Sequence, residues 1–268
     1  MKIGIIGYGS MGKMLLWKFS QAGNINKQDL LVSNRTLEKL NEAKDIAVIA
    51  DSNRALAQKA DIVFVCVRPA DIKAVLEEIM ESVKPDALIV SLNGNISFET
   101  LHKVIDNKTA KVIPSLTAEI CRSQTLVCFD ADVTENDKAN LKKLLGCIGT
   151  VIELPENEMG MGSELVSCMP GFIASIFDVI CTSAQAHTTI PKEQIVRMVL
   201  STMTATGELM LQKEMTFEDV VCRVATKGGI TQEGTSVVYD GFPQVSDRLF
   251  EKTLEKRRLI AQRAESEF

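Results

Sequence analysis

Three glycines in the spacing G-x-G-x-x-G, directly after a short apolar run, constrain this chain more than any other feature. Gly7-Tyr8-Gly9-Ser10-Met11-Gly12 follows Ile3, Ile5 and Ile6 and precedes Leu15, Leu16 and Phe19. The pattern is strand, tight turn, helix. The first glycine permits the turn, the second admits a pyrophosphate close to the backbone, and the third lets helix and strand pack tightly. Unpaired N–H groups at the helix start then face the anion. In this context the motif predicts dinucleotide binding through residues 7–12.

The first 155 residues continue the same rhythm. Short β-rich runs at 2–6, 30–33, 47–50, 62–67, 87–92, 111–113, 125–129 and 150–154 alternate with helical patterns. Ile72, Val75, Leu76 and Ile79 fall on one helix face, and Leu141, Leu144 and Leu145 repeat the idea after a capping Thr134. Runs as apolar as 62–67 suit a sheet covered on both faces, so the fold class is α/β: a doubly wound parallel sheet of Rossmann type. The rhythm changes at Pro155-Glu156-Asn157-Glu158. Residues 1–155 are the expected dinucleotide-binding domain and 156–268 an all-helical domain. The segment 171–181 carries one charge, Asp178, which predicts a helix buried nearly all round and, in so small a domain, subunit association. A helix is expected from Pro191 towards Lys213, and a charged final helix over 245–263.

The end of the second strand indicates which dinucleotide. An NAD site usually carries Asp or Glu there for the ribose 2′-hydroxyl. Ser33-Asn34-Arg35-Thr36 stands here instead. Asn34 and Thr36 can donate to a 2′-phosphate while the Arg35 guanidinium covers the adenine and balances the charge, which favours NADP(H) over NAD(H). The fourth strand ends in Val67-Arg68-Pro69, where Arg68 either borders the cofactor or is a surface residue before a turn-setting proline. Asn93 and Gly94, and Pro114 after the next strand, are candidate walls for the nicotinamide end.

The second informative stretch is Thr226-Lys227-Gly228-Gly229-Ile230-Thr231. Paired glycines before a helix start make a nest of amides suited to a small carboxylate, with the Thr231 hydroxyl able to reach the same ligand. An ordinary helix cap would look the same. The remaining composition excludes more than it assigns. Thirty Lys and Arg against thirty-five Asp and Glu give a net charge of −5, which speaks against nucleic-acid partners. Two distant histidines and seven cysteines without a C-x-x-C pair suggest neither a metal site nor a disulfide framework. Cysteines set in apolar runs, the absence of a signal-like start and the lack of an unbroken apolar stretch of spanning length predict a cytoplasmic protein with no membrane partner.

The glycine turn with Met11, the 33–36 segment, Arg68-Pro69, the turn Gly228-Gly229-x-Thr231 and the pair Gly241-Phe242 come in the order and spacing of the pyrroline-5-carboxylate reductases, which the whole chain resembles. The resemblance implies a Rossmann domain and a helical domain that interlocks with its partner, giving a homodimer or higher homo-oligomer through the C-terminal helices. It implies NAD(P)H-dependent reduction of the cyclic imine pyrroline-5-carboxylate to L-proline. By resemblance Thr231 meets the imine nitrogen, Gly228 and Gly229 surround the carboxylate with Lys227 and Ile230 beside them, and Thr226 takes the place of a substrate-binding serine. Proton abstraction by His or Lys is not needed, because a protonated imine already accepts hydride; positioning and water exclusion are what remain.

Departures from the family pattern gather on the substrate side. Ser115 and Leu116, Cys168 and Met169, Lys227, Gln232 and Glu233 replace the usual residues, with Lys227 able to serve a carboxylate or to pair with Glu233. That distribution fits a paralogue with another substrate or weak turnover, of which the family has a competence-operon branch, or an NADP-binding regulatory protein. A hydroxy-acid dehydrogenase of similar layout would need a lysine base around 172–181, where there is none.

Overall fold

A computed structural model describes residues 1–23 and 25–268. Eight strands, β1 (Ile3–Ile6), β2 (Leu30–Ser33), β3 (Val48–Ile49), β4 (Ile62–Val65), β5 (Leu88–Ser91), β6 (Thr109–Ile113), β7 (Ser123–Phe129) and β8 (Gly149–Glu153), form one sheet in the order β3-β2-β1-β4-β5-β6-β7-β8. All eight stand where the apolar runs place them. The sheet is not wholly parallel, however: β7 runs antiparallel to β6, with Val112 opposite Val127, and then pairs parallel with β8. The connection between β6 and β7, residues 114–122 with a 3-10 helix at Leu116–Ile120, is too short for a crossover, so the chain reverses direction.

The helices of this region are α1 (Ser10–Gln21), α2 (Asn53–Ala57), α3 (Ile72–Ile79), α4 (Phe98–Leu101) and α5 (Glu135–Leu145). Alternate strand residues feed two cores. Ile3, Ile5, Val32, Phe64 and Val90 pack with Leu15, Leu16 and Phe19 of α1 and with Leu141 and Leu145 of α5. Ile6, Leu31, Val63, Val65 and Ile89 pack with Leu56 of α2 and with Ile72, Leu76 and Ile79 of α3. Each strand is therefore apolar on both faces, as the unbroken run at 62–65 required. Thr134 and Asp137 cap α5 reciprocally: Asp137 N donates to Thr134 Oγ1 over 3.2 Å, and Thr134 N to Asp137 Oδ2 over 3.2 Å. β6 also carries a buried lysine that hydropathy hides. Lys111 is 1% exposed, pairs with Glu156 and lies 4.5 Å from the centre of the Phe98 ring. Burial pushes its ammonium below the usual lysine range, and Glu156 offsets part of that.

Helices follow from there: α6 (Met159–Ser163), a single π turn at Glu164–Cys168, α7 (Met169–Gln185), α8 (Lys192–Lys213), α9 (Phe217–Val224) and α10 (Ile230–Glu267). The chain divides into two compact units, Met1–Pro170 with Leu254–Phe268, and Gly171–Thr253. The end of α10 belongs to the first unit, where Ala264 is buried and the Lys73 ammonium donates to the Glu267 carbonyl over 2.8 Å. One sequence expectation is corrected here. The final helix begins at Ile230, not near Val245, and runs 38 residues through Pro243. The helix over 171–181, expected to be buried with the help of a second subunit, has Cys181 as its only buried residue in the single chain, with Val179 67% exposed. One chain supplies too few elements to cover it. By length and composition alone the helical run Glu156–Gln185 could also cross a membrane, although Glu164 and Asp178 interrupt its apolar stretch.

Candidate cofactor pocket and substrate turn

The first unit contains a cavity of about 710 Å³ at the carboxyl ends of β1, β2, β3 and β4, beside the point where strand order reverses. Gly7 forms its floor. The residue has φ +97°, and a Cβ there would come within 2.7 Å of the Cys66 carbonyl oxygen, so only glycine turns the chain here without strain. Its N–H donates to the Ser33 carbonyl over 2.9 Å. Gly9 is exposed and a Cβ on it would touch nothing within 4 Å; this is open space against bare backbone. Gly12 packs α1 against the turn so closely that a Cβ would lie 2.0 Å from the Gly7 carbonyl oxygen. No side chain caps α1, which leaves the amides of its first turn for a ligand. A pyrophosphate fits that cradle.

Of the residues singled out in the sequence, Gly7, Tyr8, Gly9, Ser33, Asn34, Arg35, Thr36, Val67 and Arg68 line the cavity. Ser10, Met11, Gly12, Pro69, Asn93, Gly94 and Pro114 do not. The first three belong to α1 behind the turn, and Asn93 and Pro114 are buried at the ends of β5 and β6. Asn34 has a different first task from the one expected. Its Oδ1 accepts from Tyr8 N over 3.0 Å and its Nδ2 donates to Thr36 O over 2.9 Å, so it ties the glycine turn to β2 and keeps one N–H for a ligand. Arg35 is exposed and makes no ion pair among the described residues. Arg68 donates through Nε to Asp71 Oδ2 over 2.9 Å with its side chain 76% exposed.

The sequence reading missed Lys39, Asn53 and Glu78, all of which line the cavity. Asn53 accepts from Ser33 Oγ over 2.7 Å and donates to Glu78 Oε2 over 2.7 Å. The end of β3 was the available signal, since the parallel strands β1–β6 all end on the same edge. Tyr8 is 5% exposed, and Trp17 Nε1 donates to its hydroxyl over 3.2 Å. Burial pushes the Tyr8 phenol up, Glu42 adds to that, and the Trp17 bond works against it.

In the second unit, residues 226–231 form the turn into α10. Gly228 has φ +73°, its N–H donates to Gln232 Oε1 over 2.6 Å, and Gly229 N donates to the Thr226 carbonyl over 2.9 Å. Both glycine amides expected to hold a carboxylate are thus engaged within the turn. Thr226, Lys227 and Thr231 are exposed, and Ile230 is 93% exposed. Lys227 forms no ion pair with Glu233 among the described residues.

Two family models match the chain: "NADP oxidoreductase coenzyme F420-dependent" over residues 2–95 and "Pyrroline-5-carboxylate reductase dimerisation" over 156–260. Pyrroline-5-carboxylate reductase 3 of Bacillus subtilis is 31% identical over 264 residues, 97% of each chain. ComE operon protein 4 of the same organism is 27% identical over 94% of each. Among solved structures, a Plasmodium falciparum pyrroline carboxylate reductase with NADP bound superposes with a TM-score of 0.87 at 21% identity, covering 97% of this chain and 98% of its own. A Streptococcus pyogenes 1-pyrroline-5-carboxylate reductase gives 0.86 at 22%, covering 96% and 98%. These two show the fold.

Proposed function

Because this chain belongs to the pyrroline-5-carboxylate reductase family, we propose that it reduces 1-pyrroline-5-carboxylate to L-proline with NADPH. The likeness to a named reductase over 97% of both chains carries this reading. The chemistry supplied by bound NADPH is hydride donation from its nicotinamide to the imine carbon. This chain's residues do the rest. The glycine turn and the first-turn amides of α1 hold the pyrophosphate, and Asn34, Arg35 and Thr36 hold the adenosine 2′-phosphate. In the second unit Thr231 gives the imine nitrogen a hydrogen-bond partner, and the turn 226–231 receives the carboxylate through Thr226, Lys227 and the Ile230 amide, with the Gly228 amide joining them when it exchanges Gln232 Oε1 for the ligand. Residues 156–268 supply the dimerisation surface, an assignment supported by the family model over 156–260 and by exposed Val179, Leu211, Val237 and Val238. A second copy covers the apolar helix α7, and seven free cysteines suit a reducing cytoplasm.

A different cyclic or acyclic imine acid is the second reading, favoured by one observation: Gln232 already occupies the Gly228 amide. Steady-state turnover of pyrroline-5-carboxylate with NADPH and with NADH tests both. NADPH-dependent proline formation is the expected result. Cofactor binding without turnover of this imine overturns the first reading, and turnover of another imine acid then separates the second from an NADP-binding regulatory protein. Replacing Thr231 by Ala lowers kcat/KM about tenfold to a thousandfold, and an unchanged value removes Thr231 from the mechanism.

A further inference from the structure

Glu78 is a carboxylate on the wall of a cavity that must receive a polyanion. The cations lining that cavity are Arg35, Lys39 and Arg68, and Asp51, Asp71 and Glu78 match them in number. A negative side chain there works against phosphate binding unless it meets a donor on the same ligand. Asp71 is already paired with Arg68. Glu78 is held differently. Asn53 Nδ2 donates to its Oε2 over 2.7 Å, and Arg54 Nε donates not to the carboxylate but to the Glu78 backbone carbonyl over 2.9 Å. The carboxylate therefore keeps its charge uncompensated by any ion pair among the described residues, with Oε1 open and its direction fixed through the chain Ser33–Asn53–Glu78.

The position within the cavity says which part of a dinucleotide meets it. The glycine turn takes the pyrophosphate, and the end of β2 takes the adenosine ribose. The base is left the part walled by Leu37 and by Ala74, Val75 and Glu78 of α3. Ala74 and Glu78 are four residues apart on one helix, Val75 and Glu78 three, so small apolar surface and carboxylate share a face. Such a face suits a flat ring along its length and a hydrogen-bond donor at its end. A carboxylate only accepts. Adenine offers an exocyclic amino group as donor; hypoxanthine offers a carbonyl oxygen at the same place and would meet the carboxylate oxygen head-on.

Resting on the NADP(H) reading of this cavity, we propose that Glu78 is the residue that reads the base of the dinucleotide, accepting a hydrogen bond from the adenine amino group through Oε1. Asn53 is its positioning partner. The site is then selective at three points, the pyrophosphate at the end of β1, the 2′-phosphate at the end of β2 and the base edge on α3.

The test is equilibrium binding of NADPH and of its hypoxanthine analogue to the full chain, followed by energy transfer from Trp17, the only tryptophan, which donates to pocket-lining Tyr8. The wild-type chain binds NADPH tighter than the analogue by about tenfold to a hundredfold, as for a hydrogen bond to a charged group lost and replaced by repulsion. Glu78→Ala brings the two within about threefold, weakening NADPH binding as the hydrogen bond is lost and tightening the analogue as the repulsion is lifted, and Glu78→Gln, whose amide can donate to the hypoxanthine oxygen, tightens the analogue further. Equal wild-type affinity for the two bases overturns this inference and leaves the cofactor reading standing. So does a Glu78→Ala variant that weakens both ligands alike, which would make Glu78 a support for Asn53, or one that only improves NADPH against NADH. Failure of the wild-type chain to bind NADPH at all overturns the cofactor reading and this inference together.

Discussion

Replacing Arg257 by Ala isolates the energetic cost of one buried charge. Glu164 sits in the π turn between α6 and α7 with its side chain 2% exposed. Its Oε1 accepts from Arg257 Nη2 over 2.8 Å and from Nε over 3.1 Å, while Oε2 has no partner. Arg257 also donates to Asn95 Oδ1 over 2.7 Å and to Ser163 Oγ over 3.1 Å, so one guanidinium ties the end of α10 to the loop after β5 and to α6. Its removal leaves Glu164 with neither counterion nor donor. Breaking such a pair from one side costs about 3–5 kcal/mol. In a unit of this size each kcal/mol lowers Tm by about 2–4 °C, which gives a fall of about 6–20 °C. The double variant Arg257→Met with Glu164→Leu removes both charges and restores most of the loss, because the penalty lies in the orphaned carboxylate rather than in the missing attraction. Thermal melts of the wild type, both single variants and the double variant at one protein concentration supply the comparison. A fall of less than about 2 °C in Arg257→Ala, or a double variant no better than Arg257→Ala, refutes the reasoning.

Three further outcomes follow from the same geometry. Gly12→Ala forces a methyl to within 2.0 Å of the Gly7 carbonyl, so it lowers Tm and weakens NADPH binding by about a hundredfold as α1 is displaced. Gly9→Ala meets nothing in the chain; it leaves Tm unchanged and weakens NADPH binding by filling the pyrophosphate's place, so a loss of Tm in that variant would count against the cradle. The third concerns pH. Burial depresses the His102 imidazole, but the bond to Asp130, the bond to the Ile105 carbonyl and nearby acidic charge outweigh it and leave the group raised. A raised folded value means the stabilisation is complete below the ordinary histidine value near 6.5 and disappears as pH climbs through the folded value. Asp130→Asn should therefore cost stability at about pH 5.5 and little at about pH 8. A proton-NMR titration of His102 with a midpoint below 6.5 would contradict this.

Hydropathy and glycine spacing were enough to place all eight strands, the turn at 7–12 and the capped start of α5, because each depends on neighbours within a few residues: strand propensity, a positive φ at Gly7, a hydroxyl three residues before an amide. The choice of Asn34 and Arg35 over an acidic residue at the end of β2 was legible for the same reason. What lay beyond the sequence was every pairing of distant residues. That Asn53 and Glu78 join Ser33 on the cavity wall, that Gln232 closes on the Gly228 amide, and that Arg257 answers Glu164 are facts of three-dimensional contact between elements tens of residues apart or of side-chain direction. The exposed helix α7 shows the limit most plainly. Its apolar composition announced that something must cover it, and the small size of the domain pointed to a second subunit, but neither says which of its residues the chain itself leaves bare. The tertiary structure decides that its own unit does not supply it, since burial depends on which surfaces the fold brings together and not on how apolar each one is.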